Sequence, residues 1–280
     1  MLFDTHCHLD DGSFAGEVRD VVAQARSAGV TRMLTQGTSI SSSLDCIALA
    51  EEFPEVYAAV AIHPNCLMEE IPRFGDGAVF LEIFSQMAEN PRVRAVGETG
   101  VDLYWHDTPI EIQKQYLALH FELARRTKLP VVIHCRDAEE PLLETARADF
   151  EKNGPVPGVI HSFSGDLTFL RACLDLGFHI SYSGSVTFKN KCFDSVRETV
   201  CEVPLDRLLV ETDSPYLTPM PFRGKIRRNT PEYVQHTARF LAEMRGMSEE
   251  EFFAQTTHNA LKFLGIPESS PNVQDAQNVI

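Results

Sequence analysis

The sequence holds no apolar run long enough to span a bilayer, no N-terminal signal pattern and no CxxC pair. The first two absences argue against a membrane-spanning helix and lead to an expected cytoplasmic location. Its seven cysteines (Cys7, Cys46, Cys66, Cys135, Cys173, Cys192, Cys201) are odd in number and scattered. That usage fits reduced thiols and speaks against a disulfide framework or a zinc ribbon. Cations are scarce, 25 Lys and Arg against 40 Asp and Glu, for a net charge of −15. The overall field of such a chain does not hold nucleic acid, so a phosphate-handling role needs a local basic patch, bound cations, or both. Linkers rich in Gly, Ser or Pro are missing too, as are internal repeats. The 280 residues therefore read as one domain over 1–266 with a loose tail over 267–280.

What is present is an alternation of short apolar runs with helical stretches. Strands are expected over 2–8, 31–35, 56–63, 93–98, 131–134, 158–161, 178–181 and 208–213. Helices are expected over 14–28, 44–53, 78–90, 110–128, 231–245 and 248–264, the last opened by a capping box of Ser248 and Glu251. Eight strands separated by helices, most of them apolar runs, favour a closed parallel TIM-like (β/α)8 barrel of the α/β class over an open sheet.

The chemistry gathers at strand ends. His6 and His8 stand two apart on the first strand, so alternation projects them side by side and turns Cys7 to the opposite face. Alone, the pair also fits two polar residues facing water. But Glu98, His134, His161 and Asp213 end four further strands, and in a parallel barrel all C-terminal strand ends share one rim. Six nitrogen and oxygen ligands exceed one tetrahedral zinc and suit two divalent ions, zinc, magnesium or manganese. Glu98 is expected to bridge them, with His6, His8 and Asp213 completing one site and His134 and His161 the other. A hydroxide between the ions would be the nucleophile, since metal binding lowers the pKa of water from 15.7 to about 7, and Asp213 could serve as general base.

Other rim residues have two readings each. His63 ends the third strand and reads as a substrate-side group on a phosphate oxygen, or as a packed loop histidine. Asp102 could orient a ligand or cap a turn. Tyr104 and Trp105 can stack a nucleobase or simply pack their loop. Arg223, Lys225, Arg227 and Arg228 supply the local basic patch just past the eighth strand, flanked by Phe222 and Tyr216, and could grip a phosphate backbone.

Several stretches resemble the TatD-type metal-dependent deoxyribonucleases of the amidohydrolase superfamily. They are Phe3-Asp4-Thr5-His6-Cys7-His8, Ile62-His63-Pro64, Gly97-Glu98-Thr99-Gly100-Val101-Asp102, Val132-Ile133-His134-Cys135-Arg136, Ile160-His161-Ser162-Phe163-Ser164-Gly165 and Glu211-Thr212-Asp213-Ser214-Pro215-Tyr216. Arg228-Asn229-Thr230-Pro231 and Thr257-His258-Asn259-Ala260 look like later motifs of the same family. Val101 stands where the family tends to carry Leu. The likeness covers about residues 2–265. It implies a TIM-like barrel, a two-metal site at the six ligands, and hydrolysis of DNA phosphodiesters, often 3′→5′ on single strands. DNA as substrate comes from the resemblance alone. Against it stand a hydrolase of a small ester, amide, lactone or aminoacyl ester, and a catalytically idle binding barrel; the intact ligand set disfavours the latter. No obligate protein partner is evident.

Overall fold

The computed structural model describes residues 1–74 and 77–268; most of the tail expected over 267–280 lies outside the described residues. Eight parallel strands run in the order β1 to β8: Leu2–Cys7, Val30–Gln36, Val56–Val60, Val93–Asp102, Val131–Arg136, Gly158–Ile160, His179–Tyr182 and Leu208–Val210. The ring closes where Cys7 bridges Ser214, with the His8 amide donating to the Ser214 carbonyl at 2.8 Å and the Asp213 amide to His6 at 2.9 Å. This is the (β/α)8 barrel expected from the strand pattern. Helices α1 to α10 are Val18–Ser27, Ile40–Glu52, Leu67–Glu70, Gly77–Ala88, Ile110–Thr127, Glu139–Asn153, Leu167–Asp175, Asp194–Val200, Val234–Met244 and Glu249–Phe263. No helix among the described residues is long and apolar enough to cross a membrane.

Several elements differ from expectation: β3, β6 and β8 stop at Val60, Ile160 and Val210, so His63, His161 and Asp213 lie just beyond strand ends and not on them. The helix expected from residue 14 begins only at Val18, because Gly16 sits at φ +76° and breaks the run into a short 3-10 turn and α1. The fourth strand runs on to Asp102, four residues past Glu98, and carries the candidate ligand within the sheet. The capping box of Ser248 and Glu251 is formed.

Inward side chains Phe3, Leu34, Ala59, Ala95, Val132, Val159 and Leu209 fill the barrel, joined by Leu261, Leu264 and Ile266. Helix α10 is tied under the N-terminal strand ends, where Thr257 Oγ1 donates to Met1 O at 3.1 Å and Asn259 Nδ2 to Leu208 O at 2.9 Å. A second apolar layer lies between the sheet and its helices and includes Cys7, whose thiol points away from His6 and His8 to the Leu34 carbonyl.

His120 of α5 braces the third and fourth strands from this outer layer. Its Nε2 accepts the Ile62 amide at 3.2 Å, which leaves the ring proton on Nδ1, 2.7 Å from Tyr116 O and 2.9 Å from Thr99 Oγ1. Burial, only partly offset by the Tyr116 bond, pushes its pKa down to about 4.

Candidate metal centre

Strand irregularities aim the ligands. The β1–β2 register shifts between Asp4 and Cys7, and the β4–β5 register between Val96 and Thr99. Such bulges re-aim side chains; here one lies under His6 and the other under Glu98. Close behind, Gly100 has φ +151°, and a Cβ there would stand 1.9 Å from the His134 carbonyl oxygen, so only glycine lets β4 approach β5 at this level.

At the mouth the six expected ligands converge. Glu98 is the hub, and its two oxygens face different ways. Oε2 lies 3.3 Å from His6 Nε2 and 3.6 Å from His8 Nε2. Oε1 lies 2.8 Å from His161 Nε2, 3.0 Å from His134 Nδ1 and 3.5 Å from His63 Nε2. Asp213 Oδ1 is 3.4 Å from His8 Nε2 and 3.6 Å from His6 Nε2. Asp213 reaches this place from beyond the end of β8 in the left-handed region, φ +57°, a conformation that Asp tolerates better than most residues.

Burial pushes the Glu98 carboxyl upward, but the imidazoles of His161, His63 and His6 outweigh it and hold the group well below its ordinary range. Burial likewise opposes charge on Asp213, and His8, His6 and His161 prevail. Among the described residues, every ion pair of these two carboxylates is with a histidine. Carboxylates largely shielded from water whose ion pairs are all with imidazoles are the donor chemistry of a divalent cation. Two such groups within 4.8 Å are His6, His8 and Glu98, and His63, Glu98 and His134. The residues fit a metal.

His63 is thus brought to the second group, but its ring is committed otherwise. Its Nδ1 accepts the Asn65 amide at 3.1 Å, so the neutral ring carries its proton on Nε2 and offers a donor there instead of a lone pair. Burial lowers its pKa, against the pull of the Glu98 carboxylate.

Asp102 does both things its sequence position allowed. Oδ2 lies 2.8 Å from His134 Nε2, fixing that ring so that Nδ1 faces Glu98, while Oδ1 accepts the Tyr104 and Trp105 amides at 2.9 and 3.0 Å. Two acids escaped the sequence reading. Glu211 Oε1 accepts the Ser162 amide at 2.7 Å and lies 3.2 Å from His161 Nδ1. Asp4 takes the Thr212 amide at 2.8 Å and its hydroxyl at 2.6 Å, pinning the segment that delivers Asp213. Each had a signal: Glu211 stands two before Asp213, the spacing of His6 and His8, and Asp4 is an acid inside an apolar strand.

On the rim, Tyr104 and Trp105 are half-exposed and meet edge to face at 4.9 Å, with the Arg136 guanidinium 3.7 Å over the Tyr104 ring. The basic loop is divided. Arg223 lies 3.8 Å over Phe188 and donates to Asn190, and Lys225 is exposed. Arg227 is 3.5 Å from Glu17. Arg228 donates to Glu17 and to the Ser13 carbonyl, each at 2.6 Å, so it braces the loop against the turn after β1.

Nitrogen and carboxylate donors converging at the C-terminal mouth of such a barrel define a metal-dependent hydrolase. Residues 3–265 match the family model described as TatD related DNase, and the chain belongs to that family. It is 35% identical over 266 residues to an uncharacterized metal-dependent hydrolase, YabD, of Bacillus subtilis, covering 95% of this chain and 100% of that one. It is 32% identical over 262 residues to the 3′-5′ ssDNA/RNA exonuclease TatD of Salmonella typhimurium, covering 92% and 97%. The crystal structure of the TatD homologue YjjV from Escherichia coli superposes with a TM-score of 0.84 at 30% identity, covering 95% and 98%.

Proposed function

We propose that this hydrolase cleaves DNA phosphodiester bonds with two divalent ions, acting 3′→5′ on single strands. The observation that carries the reading is the division of Glu98, one oxygen toward His6 and His8 and the other toward His134 and His161. A carboxylate so placed can serve two cations at once. His6, His8 and Asp213 would hold one, His134 and His161 the other. The ions, when bound, supply Lewis-acid polarisation of a phosphoryl oxygen and activation of the attacking water.

The chain's own groups do the rest. Asp213 accepts the proton of the attacking water. His63 donates its Nε2 proton in a hydrogen bond to a non-bridging phosphate oxygen. Arg223, Lys225 and Arg227 grip phosphates further along the strand, with Arg228 holding their loop in place. Tyr104 and Trp105 stack bases, a sequence-tolerant hold suited to single strands. A relative named as a 3′-5′ ssDNA/RNA exonuclease supports the substrate class and polarity.

One observation favours a second reading, hydrolysis of a small ester, amide, lactone or aminoacyl ester. Arg227 and Arg228 already face Glu17, which leaves a weaker patch for a polyanion. Oligonucleotides labelled at either end, single- and double-stranded, assayed beside an ester panel with several metals and after chelation, separate the two. Shortening of 3′ ends on single strands supports the nuclease; turnover of esters without any oligonucleotide cleavage overturns it.

A further inference from the structure

The rings of His6 and His161 lie stacked, centroids 3.9 Å apart and 8° from parallel. Both aim Nε2 at Glu98, His6 toward Oε2 and His161 toward Oε1. Their Nδ1 edges therefore share the far side, away from the mouth. Glu211 is buried there. Its Oε1 already pairs with His161 Nδ1 at 3.2 Å, while its Oε2 is buried without a hydrogen-bond partner. His6 Nδ1 is likewise buried and without a partner. One ring nitrogen of His6, one of His161 and one oxygen of Glu211 lie within 4.8 Å of one another.

A buried donor and a buried acceptor left unmade are each costly, and a short approach satisfies both. We propose that Glu211 is a positioning residue for both halves of the site at once, its two oxygens accepting Nδ1–H from His161 and from His6. A histidine ligates through the nitrogen that carries no proton, and a carboxylate on the other nitrogen fixes which one that is. Glu211 therefore keeps the Nε2 lone pairs of both rings turned to the mouth. Asp102 does the same for His134 alone. On the two-ion reading above, on which the shared role rests, His6 and His161 belong to different ions, so one buried carboxylate sets the affinity of both.

The test uses the full chain, stripped of metal. Zn2+ is titrated against a competing chelator, and the ring tautomers are read by long-range 15N–1H NMR at a pH high enough to keep both imidazoles neutral. Glu211→Ala should weaken both ions, each by about 10–100-fold, whereas Asp102→Asn weakens one. Glu211→Gln, which keeps the volume if the alanine variant fails to fold, has one acceptor oxygen and should move the proton of one ring from Nδ1 to Nε2. Loss of a single ion's affinity in Glu211→Ala overturns the proposal. So does a Gln variant in which both rings keep Nδ1–H, or a third Zn2+ held by the wild type. A wild type that takes one ion while the tautomer shift still appears overturns the two-ion reading, and supports the hold of Glu211 on both rings.

Discussion

At the N-terminal end of the strands, Phe3, Leu34, Val132 and Leu209 meet Leu261, Leu264 and Ile266 in an apolar plug. At the other end, Glu98 and Asp213 face His6, His8, His63, His134 and His161 with little access to water. The plug does nothing chemical, and its burial stabilises the barrel without needing a partner for any atom. The mouth is the reverse, since buried carboxylates and imidazoles cost desolvation that their mutual attraction only partly returns. The contrast locates stability at one end and leaves the other free to be arranged for a cation.

That division can be broken in several ways. The largest effect belongs to Glu98→Ala. It should lower kcat/KM at least about 10³-fold, several kcal/mol of transition-state stabilisation, with the circular dichroism spectrum unchanged. An active variant would remove the shared role given to Glu98, and an unfolded one would make the mouth structural as well.

Next in size is acid. His120 has a folded pKa of about 4 against an ordinary 6.5, so the unfolded chain takes up its proton first. The stability it lends is present above about pH 6.5 and falls as pH drops toward 4, by roughly 3 kcal/mol in all. Urea unfolding of metal-stripped His120→Asn should show a shallower pH dependence than the wild type in that window. Leu261→Ala, at the plug, should cost about 2–4 kcal/mol in urea unfolding while turnover per folded molecule stays constant; a matching fall in turnover would show the two ends to be coupled. Smallest is the pair Arg223→Ala with Lys225→Ala. Stability should move by less than about 0.5 kcal/mol, and the salt slope of log K for single strands should fall by about 1.4.

The barrel was legible because parallel strands buried on both faces read as apolar runs, and a barrel gathers their ends. Val131-Val132-Ile133-His134 announces both a strand and its ligand. The register shifts under His6 and Glu98 were not legible, since a bulge depends on what the neighbouring strand offers. Glu211 and Asp4 were hidden for a related reason. Their partners, His161 and Thr212, are far away along the chain, 50 and 208 residues distant, and only the closed ring joins them. Arg228 read as one of four cations in a patch, but Glu17 and Ser13, which hold it, come from the other end of the sequence.

The seam where β1 meets the stretch after β8 has a bearing on synthesis. Asp213 N–H reaches the His6 carbonyl and His8 N–H the Ser214 carbonyl, so β1 waits on the stretch after β8. A nascent chain on the ribosome can already display His6, His8, Glu98, His134 and His161 while one flank of the first strand stays open. The site is then completed late and all together, when the stretch after β8 brings Asp213 to the first strand.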